Sequence, residues 1–173
     1  SAVKNGKDVS VVMELQARFD EEANIQWSNL LQEEGVKVIY GVPGLKVHAK
    51  MCLIKRKEGN RIVNYASVGT GNFNEETATV YTDHSLFTSR KEIANEVSKV
   101  FDFLETNFHT HKYKHLVVSP HYMRKKLLAL INREINYAKD GKNAYMILKM
   151  NNLVDVELIK KLYHASKVGV KIK

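Results

Sequence analysis

Runs of apolar, β-branched residues alternate with an amphipathic stretch at the start of the chain. Residues 9–15 (VSVVMEL) and 36–40 (VKVIY) have the composition of buried strands. Between them, a helix is predicted to start at Asp20, a residue type favoured at the N-cap, and to stop at Gly35, a type favoured just past the last turn. This order predicts two parallel strands joined by a crossover helix.

A hairpin is predicted next. Pro43-Gly44 turns the chain into residues 45–55 (LKVHAKMCLIK), where apolar and polar side chains alternate as in a strand with one buried face. Residues 62–69 return through a turn that contains Glu58-Gly59-Asn60, and residues 79–87 (TVYTDHSLF) fit a further strand. These strands would add an antiparallel part to the sheet.

A helix and a polar connector follow the hairpin. Ser89-Arg90-Lys91-Glu92 is a capping box, and it opens a helix whose apolar residues form one stripe. Residues 105–115 (ETNFHTHKYKH) are polar and aperiodic, which predicts a connector. Ser119-Pro120 is then expected to supply the cap and the first position of another helix.

The end of the chain repeats the pattern of its beginning. A strand over 144–150, a helix over about 155–168 and a strand from 170 are predicted, and residues 145–172 align without a gap on residues 11–38. Any two βαβ units share this outline, but equal helix lengths and a shared Gly-Val-Lys ending favour an internal duplication. We therefore expect an α/β fold: a mixed sheet flanked by helices in residues 1–115, and the start of a second, similar lobe in residues 116–173.

Composition narrows the class of partner. Hydrophobic residues make up 44% of the 173 residues, enough for a core, which excludes disorder as the main state. The 27 Lys and Arg outnumber the 19 Asp and Glu, and the net charge of +8 predicts a polyanionic partner: nucleic acid, a phosphate-rich ligand or an acidic surface. A lone cysteine, Cys52, and the lack of an apolar run of about 20 residues favour a cytoplasmic protein.

Candidate chemistry is concentrated in His48-Ala49-Lys50 and in the turn Gly69-Thr70-Gly71-Asn72. Within a strand, His48 and Lys50 would lie on one face, about 7 Å apart. A hairpin centred near residues 58–59 would pair position 48 with position 69 and bring the glycine-rich turn beside His48. Lysine and backbone N–H groups bind phosphate oxygens, and a neutral imidazole is a nucleophile. The pattern predicts a phosphoryl-transfer site, although a surface histidine next to a solvated lysine has the same local sequence.

Other polar residues carry weaker signals. Arg18 follows the first predicted strand, where ligand sites collect in α/β sheets, and it would contact phosphate or pair with a nearby acid. The connector histidines His109, His111 and His115 lack the cysteine or acidic partner of a zinc set, so an exposed connector is expected there. Arg124-Lys125-Lys126 is a solvated helix face or a guide for a polyanion.

Longer strings carry a family resemblance over essentially the whole chain. The strings ELQARFDEEANIQW (14–27), PGLKVHAK (43–50), GTGNFNEETA (69–78), VYTD (80–83) and NNLVD (151–155) closely resemble the bacterial polyphosphate kinases, in that family's order. A more distant similarity is to the phospholipase D fold, whose histidine, lysine and glycine-rich motif are matched by His48, Lys50, Gly69, Thr70 and Asn72. Lys55 occupies the aspartate position of that fold, which disfavours phosphodiester hydrolysis.

The resemblance implies roles for these residues. His48 would take the terminal phosphate of ATP or polyphosphate, and Lys50 and Asn72 would act with it. Gly69, Thr70 and Gly71 would bind phosphate, Tyr81 would contact ATP, and Arg18 would belong to a magnesium–phosphate site. The family enzyme lengthens polyphosphate reversibly from ATP with Mg²⁺, between two phospholipase D-like domains. Residues 1–115 would then form most of the first domain, and residues 116–173 would begin the second.

The resemblance also implies partners: polyphosphate and ATP, the remaining domains of a longer chain, and further copies in a homo-oligomeric, membrane-associated full-length enzyme. No specific nucleic acid partner is expected. The chain alone is expected to be inactive or nearly so, because the nucleotide-contacting domains and the second lobe's histidine lie outside it. Two alternatives stay open: a phospholipase D-like phosphodiesterase or nuclease, and a non-catalytic polyanion-binding module.

Overall fold

The computed structural model describes residues 2–14, 21–106 and 109–173. The chain divides into two compact units, Ser1–Leu116 (unit 1) and Val117–Lys173 (unit 2). Each unit contains helices and strands, so the predicted mixed α/β class is confirmed. Within the described ranges, no helix has both the length and the apolar character needed to cross a bilayer.

Unit 1 is built on a parallel strand pair and an antiparallel three-stranded sheet. Its described elements are, in chain order, β1 (Ser10–Met13), α1 (Glu21–Glu33), β2 (Lys37–Tyr40), β3 (Lys50–Glu58), β4 (Arg61–Gly69), α2 (Glu75–Val80), β5 (Ser85–Thr88) and α3 (Lys91–Thr106). β1 and β2 pair in parallel from Ser10↔Lys37 to Met13↔Tyr40, as the strand–helix–strand order predicts. Gly35 follows α1 with a φ of 84°, a left-handed conformation that glycine adopts without steric conflict.

The β3–β4 hairpin has a different register from the predicted one. Strand β3 begins at Lys50, so residues 45–49 precede it, and the turn closes between Glu58 and Arg61. Lys50, and not His48, therefore lies opposite Gly69. The cause is the two-residue turn Gly59-Asn60, in which Gly59 has the positive φ of 58° that tight hairpin turns require.

The predicted strand over 79–87 is wrong in its first half. Residues 79 and 80 are the end of α2, and strand structure begins only with β5 at Ser85. The Asn74 side chain caps α2 by accepting a hydrogen bond from the Thr77 backbone N–H at 3.0 Å. Glu75 and Glu76 occupy the first turn, where the helix dipole favours negative charge. Capping therefore outweighs the β-propensity of the residues that follow.

Helix α3 covers one face of the three-stranded sheet. Ala94 and Val97 are fully buried against Ala66 of β4, and partly buried side chains surround them: Met51, Leu53, Val68, Phe101 and Leu116. The helix begins one position later than the capping box predicts, and the Thr88 hydroxyl accepts from the Arg90 N–H just before it. The predicted apolar stripe nevertheless forms the core, because Val97, Val100 and Leu104 are buried.

Unit 2 contains two helices that pack on each other and two short strands. Its elements are α4 (Met123–Lys139), β6 (Tyr145–Met146), α5 (Val156–Lys167) and β7 (Lys171–Ile172). Its core draws on all of these regions and comprises Ile131, Ile135, Ala144, Leu158, Ala165 and Val170. The strand predicted over 144–150 is reduced to the two residues of β6, which pair in parallel with β7.

The helix start predicted at Ser119-Pro120 is also wrong. Helix α4 begins at Met123, because Val118 to Tyr122 form a turn in which the Tyr122 N–H donates to the Val118 carbonyl at 3.0 Å. The next helix behaves as predicted. Asp155 caps α5 by accepting from the Leu158 N–H at 2.9 Å.

Both units contain a parallel βαβ arrangement, but their first strands differ in register. The Lys37 N–H donates to the Val9 carbonyl in unit 1, whereas the Lys171 N–H donates to the Ala144 carbonyl in unit 2. At the predicted offset of 134 residues, the second acceptor would be Asn143. The ungapped alignment therefore holds from the helix onwards and is one residue out in the strand before it.

Candidate active site

His48 and Lys50 are in direct contact where the chain enters β3. The Lys50 Nζ lies 3.1 Å from His48 Nδ1 and donates to the His48 carbonyl at 2.8 Å. His48 is exposed and belongs to the segment before the strand, while Lys50 is half-buried as the first residue of β3. The predicted neighbourhood of these residues is therefore present, although it does not arise from two side chains on one strand face.

Glu14 holds the segment that carries His48. Its Oε2 accepts from the Val47 N–H at 3.0 Å, which ties residue 47 to the end of β1. Glu14 directly follows β1, and polar residues at the carboxyl ends of parallel strands commonly line sites in α/β proteins. That position is a usable sequence signal for a site residue, although no role was predicted for Glu14.

A cavity of about 430 Å³ opens next to this segment. It lies where β1 and β2 end, and its lining consists of Glu14, Tyr40, Lys46 and the loop residues 41–45. The Tyr40 hydroxyl is hydrogen-bonded to Ser28 of α1, which fixes one wall. The lining residue Lys46 is two positions before His48 in the sequence. A ligand that contacts Lys46 in this cavity would therefore lie close to the segment that carries His48.

The glycine-rich turn folds against Asp83 and His84. Thr70 Oγ1 donates to Asp83 Oδ1 at 2.9 Å and accepts from the His84 N–H at 3.0 Å, and the Thr70 N–H donates to the His84 carbonyl at 3.0 Å. A Cβ on Gly71 would overlap the Asp83 carboxylate and approach its Cβ to 3.1 Å. Asp83 thus braces the turn, a role that its place in the VYTD string did not reveal.

These contacts decide which groups of the turn remain available to a phosphate. The Thr70 N–H and hydroxyl are both engaged with Asp83 and His84. Among the residues that the structure describes, the N–H groups of Gly71 and Asn72 have no hydrogen-bond partner. Gly69 lies opposite Lys50 in the β3–β4 ladder. The Gly71 and Asn72 N–H groups therefore come two and three residues after the residue that faces Lys50.

Electrostatics favour a neutral His48. The Lys50 ammonium, followed by burial and by Lys46, holds the pKa of His48 below its ordinary value of 6.5. Burial lowers the pKa of Lys50 itself, while the Asp83 carboxylate acts in the opposite direction. The imidazole therefore keeps a lone pair at neutral pH, which a nucleophile needs.

The remaining predicted site residues are not drawn into this cluster. Asn72 is exposed at the end of the turn. Tyr81 is 57% exposed and ends α2, where its N–H donates to the Thr77 carbonyl. Arg18 lies outside the described residues. Within the described ranges, no three His, Cys, Asp or Glu side chains are placed to hold a metal ion.

Comparison with known proteins gives the same family over both units. The family model for polyphosphate kinase C-terminal domain 1 matches residues 1–110, and that for polyphosphate kinase C-terminal domain 2 matches residues 116–173. The chain is 57% identical over 172 residues to a polyphosphate kinase of Vibrio cholerae, covering 99% of this chain and 24% of that protein. It is 52% identical over 171 residues to the Escherichia coli polyphosphate kinase, covering 99% of this chain and 25% of that protein.

A solved structure agrees with the sequence relatives. The crystal structure of polyphosphate kinase from Porphyromonas gingivalis aligns with a TM-score of 0.84 and 43% identity, over 99% of this chain and 29% of that one. The chain spans about a quarter of the length of the curated relatives it matches. The chain therefore belongs to the polyphosphate kinase family and corresponds to that family's C-terminal domains 1 and 2.

Proposed function

We propose that this chain carries the phosphate-accepting histidine of a polyphosphate kinase, and that His48 relays the γ-phosphate of ATP to inorganic polyphosphate. The observation that carries the proposal is the Lys50 ammonium 3.1 Å from His48 Nδ1, which favours a neutral imidazole and presents a cation to an incoming phosphate. The names of the relatives support polyphosphate and ATP as substrates. The two units would be the first phospholipase D-like lobe and the start of the second.

The resting contact between Lys50 and His48 has a consequence for the chemistry. An ammonium group only donates, so Nδ1 accepts and the proton of the neutral ring is on Nε2. An incoming triphosphate offers Lys50 stronger, anionic acceptors, and Lys50 would turn from Nδ1 to the phosphate oxygens. The ring is then free to exchange tautomers through water and to present an unshared lone pair.

The transfer step is a displacement at the γ-phosphorus. A ring nitrogen of His48 forms the P–N bond while the bond from phosphorus to the β–γ bridging oxygen breaks, and ADP leaves with that electron pair. The proton on the other ring nitrogen passes to solvent. In the second half-reaction, a terminal oxygen of polyphosphate attacks the phosphohistidine, the P–N bond breaks and the ring regains a proton. Each step reverses along the same path.

The other residues would position and stabilise the group being transferred. Lys50 and the free N–H groups of Gly71 and Asn72 are suited to bind the phosphoryl oxygens. The two N–H groups have no protein partner among the described residues, and Lys50 would have to leave only its contact with His48. Gly69 and Thr70, with Asp83, would hold the turn in place. Tyr81, exposed at the end of α2, would contact the nucleotide.

Mg²⁺ fits this site as a companion of the substrate. It commonly keeps several waters and binds through phosphate oxygens and one or two carboxylates, without a protein cage. This mode of binding does not require a three-ligand cluster, and none is found within the described ranges. Asp83, which contacts Thr70 of the glycine-rich turn, could supply one carboxylate. Arg18 would act on phosphate oxygens, because a guanidinium has no lone pair for a metal.

Further parts of the proposal concern the longer protein. Phe73, Val80 and Phe87 are each more than 70% exposed near the site, which supports contact with the remaining kinase domains and, in a homo-oligomer, with further copies. We propose a cytoplasmic enzyme that associates with membranes at full length. The 173-residue chain alone would have little or no kinase activity, since the relatives are about four times longer.

The experiment incubates this chain, and a full-length kinase containing it, with Mg²⁺ and either ATP or polyphosphate, and maps acid-labile phosphate by mass spectrometry. His48→Ala is the test variant and His164→Ala, an exposed histidine of α5 in unit 2, is the matched control. We expect phosphate on residue 48 in the full-length protein, unaffected by the control substitution. An unmodified His48 during active turnover of the full-length kinase would refute the mechanism.

A further inference from the structure

The net charge of the chain is confined to unit 2. Residues 117–173 contain 12 Lys and Arg but only four Asp and Glu, whereas residues 1–116 contain 15 of each. Unit 1, which carries His48, is therefore neutral overall, and the +8 belongs to the 57 residues of unit 2. The excess of positive charge that predicts a polyanionic partner therefore lies in unit 2.

The acidic side chains of unit 2 are already engaged. Arg124 binds both Asp155, at 2.8 Å, and Glu157. Arg133 pairs with Glu134 at 3.0 Å, and Lys142 pairs with Asp140 at 3.2 Å. Three cations thus pair with all four acids. The other nine cations of the unit are lysines.

Four of these lysines lie at one end of the unit. Arg124 near the start of α4 contacts Asp155 and Glu157 at the start of α5, so the N-terminal ends of the two helices lie side by side. Lys125 and Lys126 follow Arg124, and Lys160 and Lys161 lie about one turn into α5. These four lysines are called the basic end of unit 2. Unlike Arg124, none of them has an ion pair among the described residues.

A cavity of about 500 Å³ opens at this end. It is lined by His121, Arg124, Lys125, Leu128, Ala129 and Asn132, with no acidic residue among them. The lining from Arg124 to Asn132 follows two turns of α4, about 12 Å along the helix axis. It offers donors and apolar stems, and the aromatic ring among its lining residues is the His121 imidazole.

We infer that the basic end of unit 2 and its cavity bind the linear inorganic polyphosphate chain, through residues other than those proposed to transfer phosphate. Repeating phosphate charges match the lysines of the basic end, and a lining spread over about 12 Å of α4 suits successive phosphates of a linear chain. The identity of the polymer rests on the proposed function, because polyphosphate enters through the names of the relatives. Such a site keeps the polymer bound while its terminal phosphate is exchanged elsewhere.

A matched pair of double variants tests the location. Lys125→Gln/Lys126→Gln removes two charges from the basic end, and Lys139→Gln/Lys167→Gln removes two from the opposite ends of the same helices. Glutamine is a good helix former, so both variants are expected to fold, as circular dichroism would verify. Binding of end-labelled polyphosphate to the 173-residue chain is followed by fluorescence anisotropy. We expect the Kd to rise roughly tenfold in the first variant and less than about threefold in the second.

Equal effects of the two variants, or none from the first, would overturn the inference. NMR titration with unlabelled polyphosphate supplies a second measurement: amide shifts should concentrate in residues 121–132, and their absence there would also overturn it. Tighter binding of single-stranded DNA or of anionic lipid vesicles than of polyphosphate would overturn the choice of polymer.

His48→Ala separates this inference from the proposed function. Polyphosphate binding should be unchanged in that variant, and binding lost with His48 would place the polymer at the transfer site and refute the inference. Binding that depends on Lys125 and Lys126 without phosphohistidine in the active kinase would refute the proposed function alone.

Discussion

Glu96 anchors the segment that leads out of unit 1, and its removal gives a quantitative test of the structure. Its side chain is buried in α3, with the residue only 6% exposed. Oε1 accepts from the Lys114 N–H at 2.7 Å, and Oε2 accepts from the N–H groups of His115 at 3.0 Å and Leu116 at 2.7 Å. Three consecutive backbone donors therefore converge on one carboxylate, and they fix residues 114–116 against the helix.

Glu96→Gln should destabilise unit 1 by about 3 kcal/mol, within a range of about 2–4. Hydrogen bonds to a charged partner contribute about 1.5–3 kcal/mol each, and the glutamine NH₂ would face at least one N–H that then has no acceptor. The loss would be a large fraction of the 5–15 kcal/mol by which domains of this kind are stable. Urea unfolding followed by circular dichroism measures it, and the amides of residues 114–116 should exchange much faster.

The control is Glu105→Gln on the same helix. Glu105 makes one solvent-exposed ion pair, with Lys37 at 3.4 Å, so its loss should change the free energy of unfolding by less than about 1 kcal/mol. A Glu96→Gln protein no less stable than the Glu105→Gln protein would refute the anchoring role. Unchanged amide exchange at residues 114–116 would refute it as well.

The pH dependence of the difference in stability between wild type and Glu96→Gln gives an independent check. Burial by itself would raise the pKa of Glu96, but the three N–H donors outweigh it and hold the pKa below the ordinary 4.5. A carboxyl with a depressed folded-state pKa contributes its full stability above the unfolded-state value and loses it as pH falls through the folded-state value. The stability difference between wild type and Glu96→Gln should therefore be constant near neutral pH and shrink below about pH 4.5. A difference that grows on acidification would contradict this sign.

Two further predictions concern the candidate active site. Lys50→Met should raise the pKa of His48 towards 6.5, and Lys46→Met should raise it less, because Lys50 is the largest cause of the lowered pKa. NMR titration of the imidazole Cε1–H measures both pKa values, and an equal rise in the two variants would contradict the assignment. Gly71→Ala should displace the Asp83 carboxylate, destabilise the turn by about 1–3 kcal/mol and reduce phosphohistidine formation in the full-length kinase. The same alanine should add little damage in an Asp83→Ala background, and additive losses would show that the overlap is not the cause.

The outline of the fold was accessible from sequence because it depends on local patterns. The βαβ unit around α1 and the apolar stripe of α3 follow from periodicity and capping residues, and both are present. The register of the hairpin could not be predicted from these local patterns. Gly59 places the turn one residue later than predicted, and a shift in the turn centre by about one residue moves the pairing partner of Gly69 from His48 to Lys50.

Side-chain networks were the part of the candidate site that sequence could not supply. Asp83 is 13 residues from Thr70 and Glu14 is 33 residues from Val47, and no periodic pattern predicts either contact. Sequence did supply the candidate residues His48 and Lys50, because their types and spacing are themselves the signal. It could not show that the Thr70 donors are already used, which requires the folded positions of Asp83 and His84.

An excess of positive charge in the unit that does not contain His48 has a physical advantage. Cations near His48 lower its pKa, which keeps the ring neutral but also makes its lone pair less basic and a poorer nucleophile. Lys50 and Lys46 already lower the pKa of His48. The further lysines needed to bind a long polyanion beside His48 would therefore reduce the nucleophilicity of its ring. Unit 1 balances its 15 cations with 15 acids, and unit 2 carries the surplus. The proposed assignment of polymer binding to unit 2 and of phosphate transfer to unit 1 avoids that conflict.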